Sequence, residues 1–216
     1  MDKQLQTVSI YNKHVDEYIE KFMPMDLYND TYDYLLNCLP PSASIVELGC
    51  GPGNVIKYFL TQKPELKILG VDLAPEMLRK AAIINPNVQF KLLDVRNISV
   101  IKQKFDAVVL AFCLPYLSYE DLDGFFLNLR KLTLTNGYIY LSCMEGNKEQ
   151  SGFEKTSFTG ENELYIYYHQ RENLESKLNG NGFEIRKFDT KDYLEQDGSV
   201  TIDLIYIAQK TKWKNL

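Results

Sequence analysis

Histidine and cysteine are scarce in this sequence of 216 residues, which holds two histidines and four cysteines. The cysteines are widely spaced and form no CxxC pair; they are Cys38, Cys50, Cys113 and Cys143. Structural zinc sites need clustered Cys and His ligands, so we expect no bound metal. Isolated cysteines of this kind are typical of reduced, mostly buried thiols, and we expect a cytoplasmic protein.

Positive charge is also in short supply. Lys and Arg together number 24 against 29 Asp and Glu, which gives a net charge of −5. Proteins that grip a nucleic acid usually carry a basic excess or a basic patch. The concentrated basic run here is short and lies at the end of the chain, at Lys210, Lys212 and Lys214. We therefore expect no nucleic-acid partner.

Long apolar runs are absent as well. The longest apolar stretch, residues 107–114, is far shorter than the roughly 20 residues that span a bilayer, and the first residues lack the apolar core of a signal peptide. We expect no membrane insertion. Apolar residues make up 45% and charged residues 25%, as in ordinary globular proteins. No feature of the sequence points to an oligomeric state.

The spacing of apolar residues predicts N-terminal helices followed by alternating strands and helices. Helical spacing in the first forty residues is stopped by Pro40 and Pro41. The predicted strands are 45–48, 67–71, 88–93, 105–111, 138–144, 183–188 and 200–208, and the predicted later helices are 54–62, 75–84, 118–135 and 170–178. The polar, glycine-containing residues 145–163 are predicted to be a loop.

This alternation predicts an α/β fold with three layers. We expect a doubly wound, mostly parallel sheet of seven strands with right-handed crossovers and helices on both faces. No helical pattern lies between the last two predicted strands, so we predict that they form an antiparallel hairpin. The final strand would then run antiparallel to the rest of the sheet.

A glycine-rich turn joins the first predicted strand to the helix that follows it. Gly49, Gly51 and Gly53 allow unusual backbone angles and let a ligand approach the main chain. The free amides at the start of the helix favour an anion. Asp72 follows the second strand, where a carboxylate can accept hydrogen bonds from ribose hydroxyls, and Asp94 follows the third. The pattern predicts a nucleoside-containing cofactor.

Four segments in the same half of the chain carry a family resemblance. They are ELGCGPG at 47–53, GVDLAPEML at 70–78, LDV at 93–95 and FDAVV at 105–109. In this order they resemble the class I S-adenosylmethionine-dependent methyltransferases, near the ubiquinone/menaquinone methylase-like small-molecule enzymes. The resemblance implies S-adenosyl-L-methionine as cofactor and a small-molecule methyl acceptor with an N, O, S or C nucleophile.

The resemblance also implies a division of the chain and a set of cofactor contacts. It implies one methyltransferase domain over 1–216, with a helical cap at 1–40, a cofactor-binding core at 41–145, and an acceptor-side loop, helix and terminal β-hairpin at 146–216. Asp72 would bind the ribose, Asp94 the adenine amino group, and Phe112 would lie beneath the sulfonium. The implied cofactor-binding residues are Glu47, Gly49, Cys50, Gly51, Gly53, Asp72, Leu73, Met77, Asp94, Val95, Ala111, Phe112, Tyr11 and Tyr18.

Two other functions stay open at this point. An NAD(P)-dependent oxidoreductase could use the same kind of sheet, but Asn54 stands where its GxGxxG fingerprint needs the third glycine. A non-catalytic, adenosylmethionine-binding regulatory module would keep the pocket without transferring a methyl group. No residue is singled out as catalytic; His14, His169 and several tyrosines are candidate general bases.

Overall fold

The fold consists of N-terminal helices followed by alternating strands and helices, in a computed structural model that describes residues 3–195 and 198–212. The helices are α1 (Lys3–Lys13), α2 (Val15–Phe22), α3 (Asn29–Asn37), α4 (Asn54–Gln62), α5 (Pro75–Ile84), α6 (Leu122–Leu132) and α7 (Arg171–Gly180). The strands are β1 (Ser44–Leu48), β2 (Lys67–Asp72), β3 (Gln89–Leu92), β4 (Phe105–Ala111), β5 (Thr133–Met144), β6 (Gly152–Lys155), β7 (Glu163–Ile166), β8 (Phe183–Leu194) and β9 (Val200–Lys210). Short 3₁₀ turns lie at Val95–Val100, Leu114–Tyr116 and Lys148–Gln150.

Within the described ranges, seven strands form one sheet in the order β3-β2-β1-β4-β5-β9-β8. The pairings among β1 to β5 are parallel, and β9 runs antiparallel to both β5 and β8. This confirms the predicted doubly wound, mostly parallel sheet with an antiparallel strand. The chain winds outward in opposite directions from β1 and β4, and the crevice beyond their carboxyl ends is where such sheets bind ligands.

Strand β1 shows how the sheet buries both of its faces. Val46 and Leu48 belong to the core that includes α6 and α7, whereas Ile45 belongs to the core that includes α3 and α4. All three side chains are completely buried. Because successive side chains of a strand point to opposite faces, the adjacent apolar residues Ile45 and Val46 require cover on both sides of the sheet. Among the described residues, none of the helices combines the length and apolar character needed to cross a bilayer.

Three predicted boundaries differ from the structure by four residues or more. Helix α6 begins at Leu122 because Ser118 and Asp121 bond to each other in the preceding turn, with the Ser118 hydroxyl 2.8 Å from the Asp121 carboxylate. Strand β5 begins at Thr133, five residues early, because Thr133 pairs with Phe105 across an irregularity in the ladder. Strand β8 runs six residues beyond its predicted end because β9 pairs with it throughout.

The prediction of a loop over residues 145–163, the first part of the acceptor-side segment, was wrong. This segment contains β6, which pairs antiparallel with β7 to form a separate two-stranded sheet. Phe153 and Tyr165 stand directly opposite each other and their rings are 5.2 Å apart, edge to face. Such cross-strand aromatic pairs stabilise a short ribbon that has little hydrophobic periodicity of its own.

Candidate functional site

A cavity of about 1010 Å³ lies at the carboxyl ends of β1, β2 and β4 and reaches from the N-terminal helices to β9. Twelve of the fourteen predicted cofactor-binding residues line it, the exceptions being Gly53 and Asp94. The cavity has two ends, each named here by its residues. The glycine-loop end contains Glu47, Gly49, Cys50, Gly51 and Asp72, and the β9 end contains Tyr28, Met144, Glu154, Tyr168 and Asp203.

The glycine loop is fixed by its backbone. Gly49 has φ +73°, and a Cβ at this position would lie 3.0 Å from the Cys113 sulfur. The amides of Gly49 and Cys50 both donate to the Val71 carbonyl, at 2.8 and 2.9 Å. Gly53 has φ +79° at the start of α4. Since L side chains rarely adopt these angles, the two glycines allow a shape that other residues would strain.

Asp72 joins the second strand to the glycine loop. One carboxylate oxygen accepts from the Gly51 amide and the other from the Ala74 amide, each at 2.8 Å. Burial raises the pKa of this carboxyl, and the backbone donors act against that rise. A carboxylate has about four acceptor positions, so two donors leave capacity for ribose hydroxyls. The geometry therefore fits the role that the family resemblance implies.

Glu47 carries an unused acceptor in the same end of the cavity. The residue is 3% exposed, and among the described residues its Oε2 atom has no hydrogen-bond partner. Burial, and secondarily the charge of Asp72, raises the pKa of this carboxyl well above its usual range. An unpaired buried carboxylate oxygen is costly, so this atom points to a donor, such as an ammonium group, supplied by a ligand.

The two predicted residues outside the cavity have other surroundings. Gly53 is buried beneath the loop, where its carbonyl accepts from the Asn85 side chain at 3.0 Å. The Asp94 carboxylate accepts from the Arg96 guanidinium at 2.6 Å and from the Gln4 side chain at 3.3 Å. Its neighbour Val95 does line the cavity. Binding of the adenine amino group by Asp94 stays a prediction.

Aromatic side chains cover the cavity from the N-terminal side. The Tyr11 ring stacks on Phe158 with centroids 5.4 Å apart, and the Tyr18 ring lies 4.6 Å from Phe22. The Tyr11 hydroxyl is hydrogen-bonded to the Tyr116 hydroxyl. Tyr11 and Tyr18 were expected here, whereas Phe158 and Tyr116 were missed. A signal existed for Phe158, since it is a large aromatic residue in an otherwise polar segment.

The β9 end contains a buried acid that sequence reasoning missed. Asp203 is 2% exposed, and the Tyr28 hydroxyl donates to its Oδ2 atom at 2.6 Å. Burial raises the pKa of the Asp203 carboxyl to about 7, and the hydrogen bond from Tyr28 opposes the rise. Asp203 stands opposite Met144 in the β5–β9 ladder. A carboxylate inside an apolar strand is the same signal that Glu47 gives, and it was available in the sequence.

Neither histidine of the chain lines the cavity. His169 is completely buried, with its Nε2 atom 3.2 Å from the Leu114 carbonyl oxygen. The His14 ring lies 3.1 Å from Glu17 on one side and 3.1 Å from Asn162 on the other. The two candidate bases taken from the sequence are therefore held away from the site by other contacts.

Comparison with known proteins agrees with this geometry. Residues 45–137, which carry the glycine loop and Asp72, match the family model described as a methyltransferase domain. Over these residues the chain is similar to methyltransferase domains. Methyltransferase 235L of Invertebrate iridescent virus 6 is 29% identical to it over 104 residues, which cover 48% of this chain and 39% of the viral protein.

A second curated relative matches a shorter stretch of this chain. A trans-aconitate 2-methyltransferase of Methylobacterium nodulans is 41% identical over 61 residues, which cover 28% of this chain and 24% of that protein. The chain thus spans well under half the length of both relatives.

Solved structures share the fold of this chain across most of its length. An S-adenosylmethionine-dependent methyltransferase of Methanosarcina mazei superposes with a TM-score of 0.72 at 20% identity, covering 88% of this chain and 100% of that one. The 1,6-didemethyltoxoflavin-N1-methyltransferase of Burkholderia thailandensis, solved with 1,6-didemethyltoxoflavin and S-adenosylhomocysteine, gives 0.68 at 18% identity, covering 97% and 89%. At these identities the likeness concerns the fold.

Proposed function

We propose that this protein is an S-adenosylmethionine-dependent methyltransferase acting on a small-molecule acceptor with an N, O, S or C nucleophile. The observation that carries the proposal is the pairing of Asp72, fixed by the glycine loop, with the unpartnered Glu47 oxygen in one cavity. A carboxylate with spare acceptor positions suits a ribose, and an unpaired buried carboxylate oxygen suits an ammonium group. Adenosylmethionine presents both.

The remaining groups of the glycine-loop end fit the same cofactor. Apolar side chains line this end at Leu73 after β2, at Val95 after β3 and at Met77 on α5. The start of α4 favours the methionine carboxylate. Carboxylates outnumber cations in the cavity lining, which suits a positively charged sulfonium. None of these features requires a phosphate-binding third glycine, and this favours adenosylmethionine over a nicotinamide dinucleotide.

When bound, adenosylmethionine would supply an electrophilic methyl group on its sulfonium sulfur. The chain would act mainly by positioning, which can lower a barrier by roughly 7–11 kcal/mol in the best-oriented cases. The aromatic cover formed by Tyr11, Tyr18 and Phe158 would exclude water, and rings near a sulfonium can add about 0.5–2 kcal/mol of cation–π attraction.

The proposal extends to the division of the chain and to its location. We assign cofactor binding to residues 41–145 and acceptor binding to 1–40 together with 146–216, because both outer segments contribute walls to the β9 end. We also propose a cytoplasmic protein whose partner is a small molecule and not a nucleic acid. The acidic balance of the chain and its unpaired cysteines support these two points.

Titration of the full chain with S-adenosylhomocysteine tests the proposal directly. We expect saturable binding by calorimetry and a rise in melting temperature, with NAD as the control that gives neither. Absence of any response at millimolar S-adenosylhomocysteine would overturn the proposal. Transfer of labelled methyl groups to a mixed acceptor library then separates an enzyme from a regulatory module, which would bind the cofactor without forming labelled product.

A further inference from the structure

The β9 end of the cavity contains a carboxylate with one committed oxygen and one available oxygen. Tyr28 donates to Oδ2 of Asp203 at 2.6 Å. Across residues 3–195 and 198–212 no hydrogen bond is made to Oδ1, and this oxygen is not among the buried polar atoms that lack partners. Since Asp203 lines the cavity, Oδ1 is accessible to a molecule inside it.

Contacts link this carboxylate to the predicted methyl-transfer position. Phe112, expected beneath the sulfonium, has its ring 5.1 Å from the Tyr28 ring, and the Tyr28 hydroxyl reaches Asp203. One tyrosine ring therefore separates Phe112 from the Asp203 carboxylate. Met144, at the end of β5, is directly opposite Asp203 in the sheet. The carboxylate thus lies where an acceptor would enter, beyond the cofactor.

The charge of the cavity limits which acceptors can bind. Two lysines, both at exposed positions, line it among the described residues, and neither arginine nor histidine does. The lining carboxylates are Asp26, Glu47, Asp72, Glu154, Glu195 and Asp203. Recognition of a polycarboxylate ordinarily relies on the paired N–H groups of arginine. A polycarboxylate would therefore face several carboxylates here and no arginine, with only the two exposed lysines as positive partners among the described lining residues.

We propose that Asp203, held by Tyr28, binds the N–H or O–H group of the methyl acceptor, and that the acceptor is a neutral or cationic organic molecule. This rests on the proposed methyltransferase function. The proposal separates this chain from the trans-aconitate 2-methyltransferases, whose name states a polycarboxylate substrate, although one of them matches 28% of this chain. An amine attached to a ring suits both the carboxylate and the aromatic walls.

A purely structural role for the Asp203–Tyr28 pair is the competing explanation. It accounts poorly for a carboxylate at this position, because a buried charge with a single neutral partner is costly and asparagine would keep the same hydrogen bond. Functional sites commonly retain such costly groups. The two explanations differ in whether replacing Asp203 alters ligand preference, which can be measured.

The experiment compares two probes that differ in charge but share a ring and chain length, phenethylamine and 3-phenylpropionate. Binding of each to the full chain, saturated with S-adenosylhomocysteine at pH 8, is measured by ligand-observed NMR titration. We expect the amine to bind at least about tenfold more tightly than the acid, as for hydrogen bonds to charged groups. Asp203→Asn should remove most of that preference and leave the affinity for S-adenosylhomocysteine unchanged.

Asp192→Asn is the matched control, since Asp192 is an exposed carboxylate on β8 that does not line the cavity. It should leave both probes unaffected. Equal binding of the two wild-type probes, or an unchanged preference in Asp203→Asn, overturns the inference. Should Asp203→Asn not fold, the wild-type comparison decides, together with the pH midpoint of amine binding, which Tyr28→Phe should raise. Failure of S-adenosylhomocysteine to bind the wild type counts against the proposed function, whereas its binding with equal probe affinities counts only against the inference.

Discussion

The two ends of the cavity are built by different means. At the glycine-loop end the main chain supplies the hydrogen-bond donors, since the amides of Gly51 and Ala74 hold Asp72. At the β9 end the hydrogen bonds run between side chains. Tyr28 and Asp203, which are 175 positions apart in the sequence, share a hydrogen bond, and so do Tyr168 and Glu154.

This difference indicates which end of the cavity can accept amino-acid substitutions. A backbone-built end tolerates little substitution, because its donors exist only while the loop keeps its shape. A side-chain-built end can take a new chemistry whenever one residue is replaced. The same sheet can therefore keep one cofactor while the acceptor varies, and function must be argued from the site and not from the fold.

Replacing Asp72 should produce the largest effect and sharpen the contrast between the ends. Asp72→Asn removes the negative charge. It also replaces one of the two oxygens that accept from loop amides with an NH2 group, which can only donate. We expect about a hundredfold weaker binding of S-adenosylhomocysteine, corresponding to about 3 kcal/mol for strong hydrogen bonds to a charged group. Calorimetry measures this. Asp203→Asn serves as the control with cofactor affinity unchanged; equal losses in both variants would contradict a division into two ends.

Gly53→Ala tests how far the glycine loop, which shapes the glycine-loop end of the cavity, depends on its backbone angles. The new Cβ would lie 2.6 Å from the Asn85 side chain, at a φ of +79°. We expect the free energy of unfolding to fall by about 2 kcal/mol or more, from left-handed strain and overpacking. Denaturant titration measures it. In Gly124→Ala, where nothing lies within 4 Å of the new Cβ on α6, stability should instead rise by up to about 1 kcal/mol.

The contrast also explains what sequence alone could predict. Gly49, Gly51 and Asp72 lie within 24 residues, and their spacing reflects one strand–turn–helix unit followed by the next strand, so local pattern located the glycine-loop end. The β9 end depends on which strands become neighbours, which no local pattern states. Asp203 was recognisable only as a carboxylate in an apolar strand, and its partner Tyr28 had no signal.

Binding of the amine probe should depend on pH through Asp203, and this sharpens the role of the β9 end. Its carboxyl has a pKa of about 7, so the carboxylate fraction rises roughly tenfold between pH 6 and 8. We expect phenethylamine affinity to rise by about that factor, and Asp203→Asn to flatten the profile. The titratable groups near Asp203 are Tyr28, Glu195, Tyr168 and Cys143, together with Lys191, which is opposite it in the β8–β9 ladder and is paired with Asp30. A flat wild-type profile would contradict this.

The same pKa predicts a stability effect with a definite sign. The folded-state pKa of Asp203 is raised above its usual value of 3.8, so between about pH 4 and 7 the folded state binds more protons than the unfolded state. The contribution of this group to the free energy of unfolding is therefore full below pH 4 and decreases as the pH rises through 7. Denaturant titrations should show the wild type losing stability relative to Asp203→Asn over this range; a constant difference would contradict the shift.

Tyr28→Phe should have the smallest effect and tests the link between the two side chains of the β9 end. The Tyr28 hydroxyl lowers the pKa of Asp203, so removing it should move the midpoint of the amine-binding profile above pH 7. A net hydrogen bond of about 1 kcal/mol corresponds to a shift of about 0.7 pH units, or roughly threefold weaker binding at pH 7. NMR titration across pH measures it. Tyr34→Phe, which removes a hydroxyl that donates to the Arg186 carbonyl outside the cavity, should leave the midpoint in place. If the midpoint falls or stays fixed in Tyr28→Phe, the hydroxyl does not favour the carboxylate form, and Asp203 must bind the acceptor without help from Tyr28.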